Sequence, residues 1–149
     1  MRVLIQRVAH ASVTIEGERV AEIGKGLLVL VGVATTDTEE DVDYLVRKTS
    51  QLRIFDDENG VMNLDVRQVD GEVLVVSQFT LQAATRKGNR PSYINAAGEA
   101  VAVPLYESFK SKLSAAIGKP ILCGRFGADM KVELLNDGPV TIWIDSIEK

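Results

Sequence analysis

The chain has 149 residues, a formal net charge of −4, one histidine and one cysteine. That length suits a single domain able to bury a core, and the mild acidity gives no global reason to expect a nucleic-acid or membrane partner. Cys123 alone excludes an internal disulfide framework, and His10 and Cys123 together fall short of the roughly four N/S ligands of structural zinc, so neither a metal nor another cofactor is expected.

The opening stretch MRVLIQRVAHASVTIEG lacks a signal-peptide pattern, because Gln6, Arg7 and His10 interrupt its apolar residues. No apolar run is long enough to cross a bilayer, so no membrane association is expected and the cytoplasm is the expected location. RVLIQRV and ASVTIEG have strand character and meet at a bulge or turn near His10 and Ala11. ERVAEIG is the return of a hairpin, and KGLLVLVGV, apolar almost throughout, predicts a buried strand. Thr36, Asp37 and Thr38 are candidate helix caps ahead of Glu39, Glu40 and Asp41, whose charges suit the positive end of a helix. Val42, Leu45, Val46 and Thr49 form one face of that helix. LRIF predicts a short strand, DDENG a polar turn, and Asp70-Gly71 a turn opening the strand EVLVVSQFTL.

From Gln82 to Asn95 the periodicity breaks, and glycine, proline and three basic residues mark a loop. A second helix is predicted from about Gly98 to Ile117, because Val101, Leu105, Phe109, Leu113 and Ile117 recur along one face; Gly118 and Pro120 end it. PILCGRFGADM leads into KVELL. In ELLNDGPVTIWIDSIEK, Val140, Ile142 and Ile144 alternate with Thr141, Trp143 and Asp145 as in a half-buried strand, and Asn136 to Pro139 precede it with the composition of a turn. Gly138-Pro139 is then either a hairpin turn or something more, since a glycine before a proline leaves two carbonyls unshielded by side chains. Many strands and two main helices predict a mixed α/β single domain with a strongly curved, barrel-like sheet.

Three stretches carry groups suited to chemistry. In VVSQFTL the core-like Val75 and Val76 give way to Ser77, Gln78 and Thr80, and polar groups at the end of a buried strand mark either a site or a strand reaching solvent. Ser77 or Thr80 is a possible nucleophile, but neither has an obvious base; the passive alternative is that hydroxyls and backbone N–H groups fix a substrate carbonyl and a water. A histidine-based mechanism would have to use His10, which reads as a surface or edge residue. TRKGNRPSY sets Arg86, Lys87 and Arg90 around Gly88, either as a phosphate grip or as a solvated basic loop. CGRFGADM places Phe126 and Met130 among glycines, where they sandwich a nucleobase or pack in the core.

Taken together, SQFTL (Ser77 to Leu81) and NDGPVT (Asn136 to Thr141), supported by KGNRPSY and GRFGADM, resemble the D-aminoacyl-tRNA deacylase family, called D-tyrosyl-tRNA deacylase in older naming. The likeness runs from IQRV near the N-terminus to VTIWIDS. It implies a homodimer of barrel-like subunits that hydrolyses the ester between a D-amino acid and tRNA, at sites on the dimer interface. It implies a cis Gly138-Pro139 bond, with that pair reaching the partner subunit's copy of the catalytic stretch Ser77, Gln78, Phe79 and Thr80. It also implies Phe126 and Met130 at the terminal adenosine, Arg7 orienting the Gly-Pro segment, and the tRNA 2′-hydroxyl assisting attack by water. Exclusion of L-aminoacyl-tRNA by a backbone wedge implies in addition that glycyl-tRNA is cleaved. Two other classes stay open: a hydrolase acylated on Thr80 or Ser77, and a non-catalytic RNA-binding module using the basic loop.

Overall fold

In the computed structural model, which describes residues 1–149, β1 (Arg2–Ile15) organises the molecule. Its first half pairs antiparallel with β3 (Gly26–Gly32) and its second half with β2 (Glu18–Ile23). Its opposite edge pairs antiparallel with β8 (Lys131–Asp145). β6 (Glu72–Ser77) joins β3 in parallel, and β7 (Leu122–Cys123) joins β6 in parallel. Parallel neighbours need long crossover connections. Here they carry α1 (Glu39–Gln51) and α2 (Glu99–Ile117), with a small antiparallel pair, β4 (Phe55–Asp56) and β5 (Met62–Leu64), inside the first.

The sheet is buried on both faces, and the two faces are covered differently. On one, Val3, Ile5, Val29, Val31 and Val75 pack with Leu45 of α1 and with Phe109 and Leu113 of α2. On the other, Val8, Val13, Ile23, Leu28, Leu74 and Val76 form a second core from strands alone. A sheet buries a face against itself only by curling, which gives the nearly closed, barrel-like form. KGLLVLVGV has no polar alternation because Leu27, Val29 and Val31 serve the first core while Leu28 serves the second.

Several local expectations are corrected. Thr38 alone caps α1: its backbone N–H donates to Asp41 Oδ2 at 2.8 Å. Asp37 instead accepts from the Ala34 N–H (2.6 Å) and from the Met1 ammonium (2.6 Å). LRIF is extended only from Phe55, which pairs across the DDENG turn with Leu64. The strand of EVLVVSQFTL stops at Ser77, and Phe79–Gln82 forms a 3₁₀ turn. At Gly32 a Cβ would stand 2.8 Å from the Gln78 carbonyl oxygen and 2.9 Å from Leu81 Cβ, so the bare backbone of Gly32 lets this turn fold down onto β3. Gln82, buried beneath it, donates from Nε2 to the Gly32 carbonyl at 2.8 Å.

The larger correction concerns NDGPVT. No hairpin forms there, because the residues on both sides pair with the same strand. Thr141 is opposite Gln6 and Asn136 opposite Val8, so Asp137, Gly138, Pro139 and Val140 stand against Arg7 alone and leave the ladder as a wide bulge. The expected irregularity near His10 is a smaller shift in the same pairing, between Val8 and His10, within a continuous β1.

Candidate active site

A cavity of about 250 Å³ opens where β3 and β6 end. Val31, Val33 and Val76 give it apolar walls; Ser77, Gln78 and Phe79 line it from the end of β6, Tyr106 from α2, and Phe126 and Met130 from the segment before β8. The ring centroids of Tyr106 and Phe126 are 5.7 Å apart, and the Tyr106 hydroxyl donates to the Val75 carbonyl at 3.4 Å. Burial pushes the Tyr106 phenol well above its ordinary pKa, with Cys123 and Glu107 adding to the shift, so it stays protonated across the physiological range.

Polar groups here are positioned without a base. Gln78 Nε2 donates to Thr80 Oγ1 at 2.6 Å, and an amide has no basic nitrogen to take a proton. The carboxylate on the cavity wall, Asp129, is solvent-exposed and paired with Lys131 at 3.2 Å. His10 is exposed on β1 and is not among the lining residues. Phe79, 56 % exposed, meets Tyr93 edge to face with centroids 5.0 Å apart.

The wide bulge of β8 is a separate assembly on the sheet edge. The Gly138–Pro139 peptide bond is cis, and both residues are exposed. Gly138 has φ +149°, and a Cβ there would lie 2.8 Å from Val140 Cγ2 and 3.1 Å from the Arg7 guanidinium, so this position requires glycine. Arg7 braces the bulge from below: its Nε donates to the Asp137 carbonyl and its Nη1 to the Ile54 carbonyl, both at 2.7 Å, and Asp56 lies 3.6 Å away.

Within one chain, then, the fold gathers Ser77, Gln78, Phe79, Phe126 and Met130 around one cavity, with Thr80 tied to it through Gln78. It leaves Arg7, Gly138 and Pro139 outside that cavity. Arg86, Lys87 and Arg90 lie on a third element, an exposed loop closed by reciprocal backbone hydrogen bonds between Ala84 and Ser92 (2.8 and 2.9 Å). None of the three forms an ion pair. Sequence reasoning missed Tyr106, which sits one residue off the recurring apolar positions of α2, and Asp129. The alternation of Val31 with Val33 was the available sign of the cavity wall.

The model of the family described as D-Tyr-tRNA(Tyr) deacylase matches residues 4–145. The chain belongs to this family. It is therefore an enzyme of the deacylase class, a hydrolase. Among its relatives, the D-aminoacyl-tRNA deacylase of Bacteroides thetaiotaomicron is 61% identical over 149 residues, covering 100% of this chain and 99% of that one. That of Flavobacterium johnsoniae is 62% identical over 146 residues, covering 98% and 97%. A solved structure described as c-Myc DNA Unwinding Element Binding Protein superposes with a TM-score of 0.93 at 41% identity, covering 97% of this chain and 98% of the other. One described as a probable eukaryotic D-amino acid tRNA deacylase gives a TM-score of 0.82 at 17% identity over 96% and 97%, a likeness of fold. The deacylase fold is thus kept well beyond the range in which the sequences remain alike.

Proposed function

We propose that this deacylase hydrolyses the ester joining a D-amino acid to the 3′ end of tRNA, acts as a homodimer, and spares L-aminoacyl-tRNA because Gly138–Pro139 of one subunit enters the cavity of the other. The observation that carries this reading is the separation of two half-sites. The cavity at the end of β6 holds positioning groups but no chiral selector, while the Gly138–Pro139 bulge stands exposed with nothing of its own chain to act on. A second subunit supplies each with the other.

The free edge supports the same arrangement. β8 pairs only with β1, so its outer row of N–H and C=O groups is open along a long strand, and such edges pair with other chains unless they are covered. Leu135 and Trp143 on this strand are 53 % and 49 % exposed. Once the selector's carbonyls hold the substrate α-amino group and the Ser77–Thr80 stretch holds the ester, the remaining directions at Cα are set. A D side chain then points away from the selector and an L side chain into it, which is selection by exclusion. Glycine has no side chain to exclude and is cleaved too. Phe126 and Met130 take the terminal adenine, the tRNA 2′-hydroxyl assists the attacking water, and Arg86, Lys87 and Arg90 hold tRNA phosphates.

Deacylation of matched D-tyrosyl-, L-tyrosyl- and glycyl-tRNA, run alongside sedimentation at the assay concentration, tests the reading. We expect D-tyrosyl- and glycyl-tRNA to be cleaved and L-tyrosyl-tRNA to be spared, by a dimer. Comparable cleavage of the L substrate, sparing of glycyl-tRNA, or a fully active monomer refutes it.

A further inference from the structure

We infer that Asn136 is a positioning residue for chiral selection, its side-chain amide setting the shape of the Gly138–Pro139 bulge; the inference rests on the function proposed above. In a regular antiparallel ladder the backbone N–H and C=O of Val140 would meet a residue of β1. The bulge removes that partner, since β1 passes directly from Gln6, opposite Thr141, to Val8, opposite Asn136, with only Arg7 between. Asn136 fills the place of the missing rung. Its Oδ1 accepts from the Val140 N–H at 2.8 Å, and its Nδ2 donates to the Val140 carbonyl at 3.2 Å and to Thr141 Oγ1 at 3.0 Å. The amide thus ties the first residue of the bulge's neck to the last, and the residues between them are confined to one loop shape.

The chemistry of the side chain is specific to this task. Satisfying an N–H and a C=O of one residue together takes an acceptor and a donor held side by side, as in a primary amide. Aspartate keeps the acceptor but sets a carboxylate against the Val140 carbonyl, and alanine offers neither group. The outer carbonyl of the bulge, that of Asp137, is already held by Arg7 at 2.7 Å. Arg7 and Asn136 therefore hold the two arms of the loop, and releasing either one lets Gly138 and Pro139 swing. A selector that swings no longer separates the two enantiomers, even where both still bind.

The test compares Asn136→Ala, Asn136→Asp and Gly138→Ala with the unaltered dimer, using D-tyrosyl- and L-tyrosyl-tRNA. For Asn136→Ala we expect kcat/KM on the D substrate to fall about tenfold to a hundredfold, the effect of losing two or three hydrogen bonds. The D-to-L ratio should fall with it, through kcat rather than KM. Asn136→Asp should lie between Asn136→Ala and the wild type, a partial rescue that a merely structural residue would not give. Amide hydrogen exchange supplies a readout that does not depend on activity. The Val140 N–H donates to Asn136 Oδ1 at 2.8 Å, so Val140 should be protected in the wild type and exchange faster in Asn136→Ala. If Asn136→Ala does not fold, the same fall in D-to-L ratio is required of Asn136→Asp. An unchanged ratio in the folded variant, or an unprotected Val140 in the wild type, overturns the inference. If Gly138→Ala collapses the ratio while Asn136→Ala does not, the inference fails and the proposed function stands. If Gly138→Ala also leaves the ratio unchanged, both fall.

Discussion

Because Gln78 donates to Thr80 Oγ1 at 2.6 Å, the threonine hydroxyl keeps its own proton free to donate toward a substrate oxygen. A threonine that attacked the ester would need that proton removed, and the one carboxylate on the cavity wall, Asp129, is exposed and paired with Lys131. Thr80→Ala should therefore cost about tenfold in kcat/KM, the worth of one or two hydrogen bonds, and not the several powers of ten that follow loss of a nucleophile. Kinetics on D-tyrosyl-tRNA decide between these, and an acyl-protein trapped on the wild type would overrule both the magnitude and the mechanism. Gly138 is constrained by geometry of a different kind. Its φ of +149° and the 2.8 Å approach of Val140 Cγ2 leave no room for a methyl group. Gly138→Ala should destabilise the fold by about 1–3 kcal/mol and abolish most deacylation, measurable as a lowered urea midpoint together with lost turnover in a protein that remains folded.

At the scale of elements, what was legible in the sequence follows from periodicity and what was not follows from pairing. The apolar run Leu27–Val31 required a strand buried on both faces, and the fold supplies helices against one face and strands against the other. The recurrence of Leu105, Phe109 and Leu113 required α2, which ends where Gly118 takes the left-handed conformation of a helix cap. NDGPVT has the composition of a hairpin turn, and composition cannot say that both of its flanks pair with one strand. That outcome is decided by β1, more than a hundred residues earlier, whose length accommodates both arms of β8. The end of β6 was misplaced for a related reason: Phe79, Thr80 and Leu81 have strand propensity, but the absence of a side chain at Gly32 lets them turn down. The residues that line the cavity and form the bulge were therefore legible as motifs, whereas their separation into two assemblies was implied by the family resemblance and not by periodicity or composition. The loop bearing Arg86, Lys87 and Arg90 is a third assembly, with cations free of carboxylate partners. Replacing all three with glutamine should raise KM and flatten its logarithmic dependence on salt by about 0.7–0.9 for each phosphate no longer neutralised, with the D-to-L ratio unchanged. A salt slope equal to that of the wild type would detach the loop from tRNA.

For the molecule as a whole, acid is a sensitive probe of the contacts that close the sheet. Burial raises the Asp145 pKa, but the Ile147 and Glu148 N–H groups and the Arg2 guanidinium outweigh it and hold the carboxyl below its ordinary value. Asp41 is similar: burial raises it, and Ser146 and the Thr38 N–H more than compensate. Asp65 is lowered first by the Arg67 guanidinium, against its own burial. Unfolded carboxyls take up protons near pH 4, by their reference values of about 3.9, and these folded ones only at lower pH. Between the two the unfolded state binds more protons, so this stabilisation is complete above about pH 4 and is lost as pH falls through the folded values. Chemical denaturation at a series of pH values should show the decline, and Asp145→Asn should flatten part of it. The pairing of β1 with β8 has a further consequence, in time. β1 leaves the ribosome well before β8, so the full sheet, the Asp145–Arg2 contact at 2.9 Å and the bulge braced by Arg7 all wait for β8. Contacts of such long range slow folding. A nascent chain shorter than residue 131 has an uncovered β1 edge and no Gly138–Pro139 bulge: the strand that carries the bulge also completes the fold.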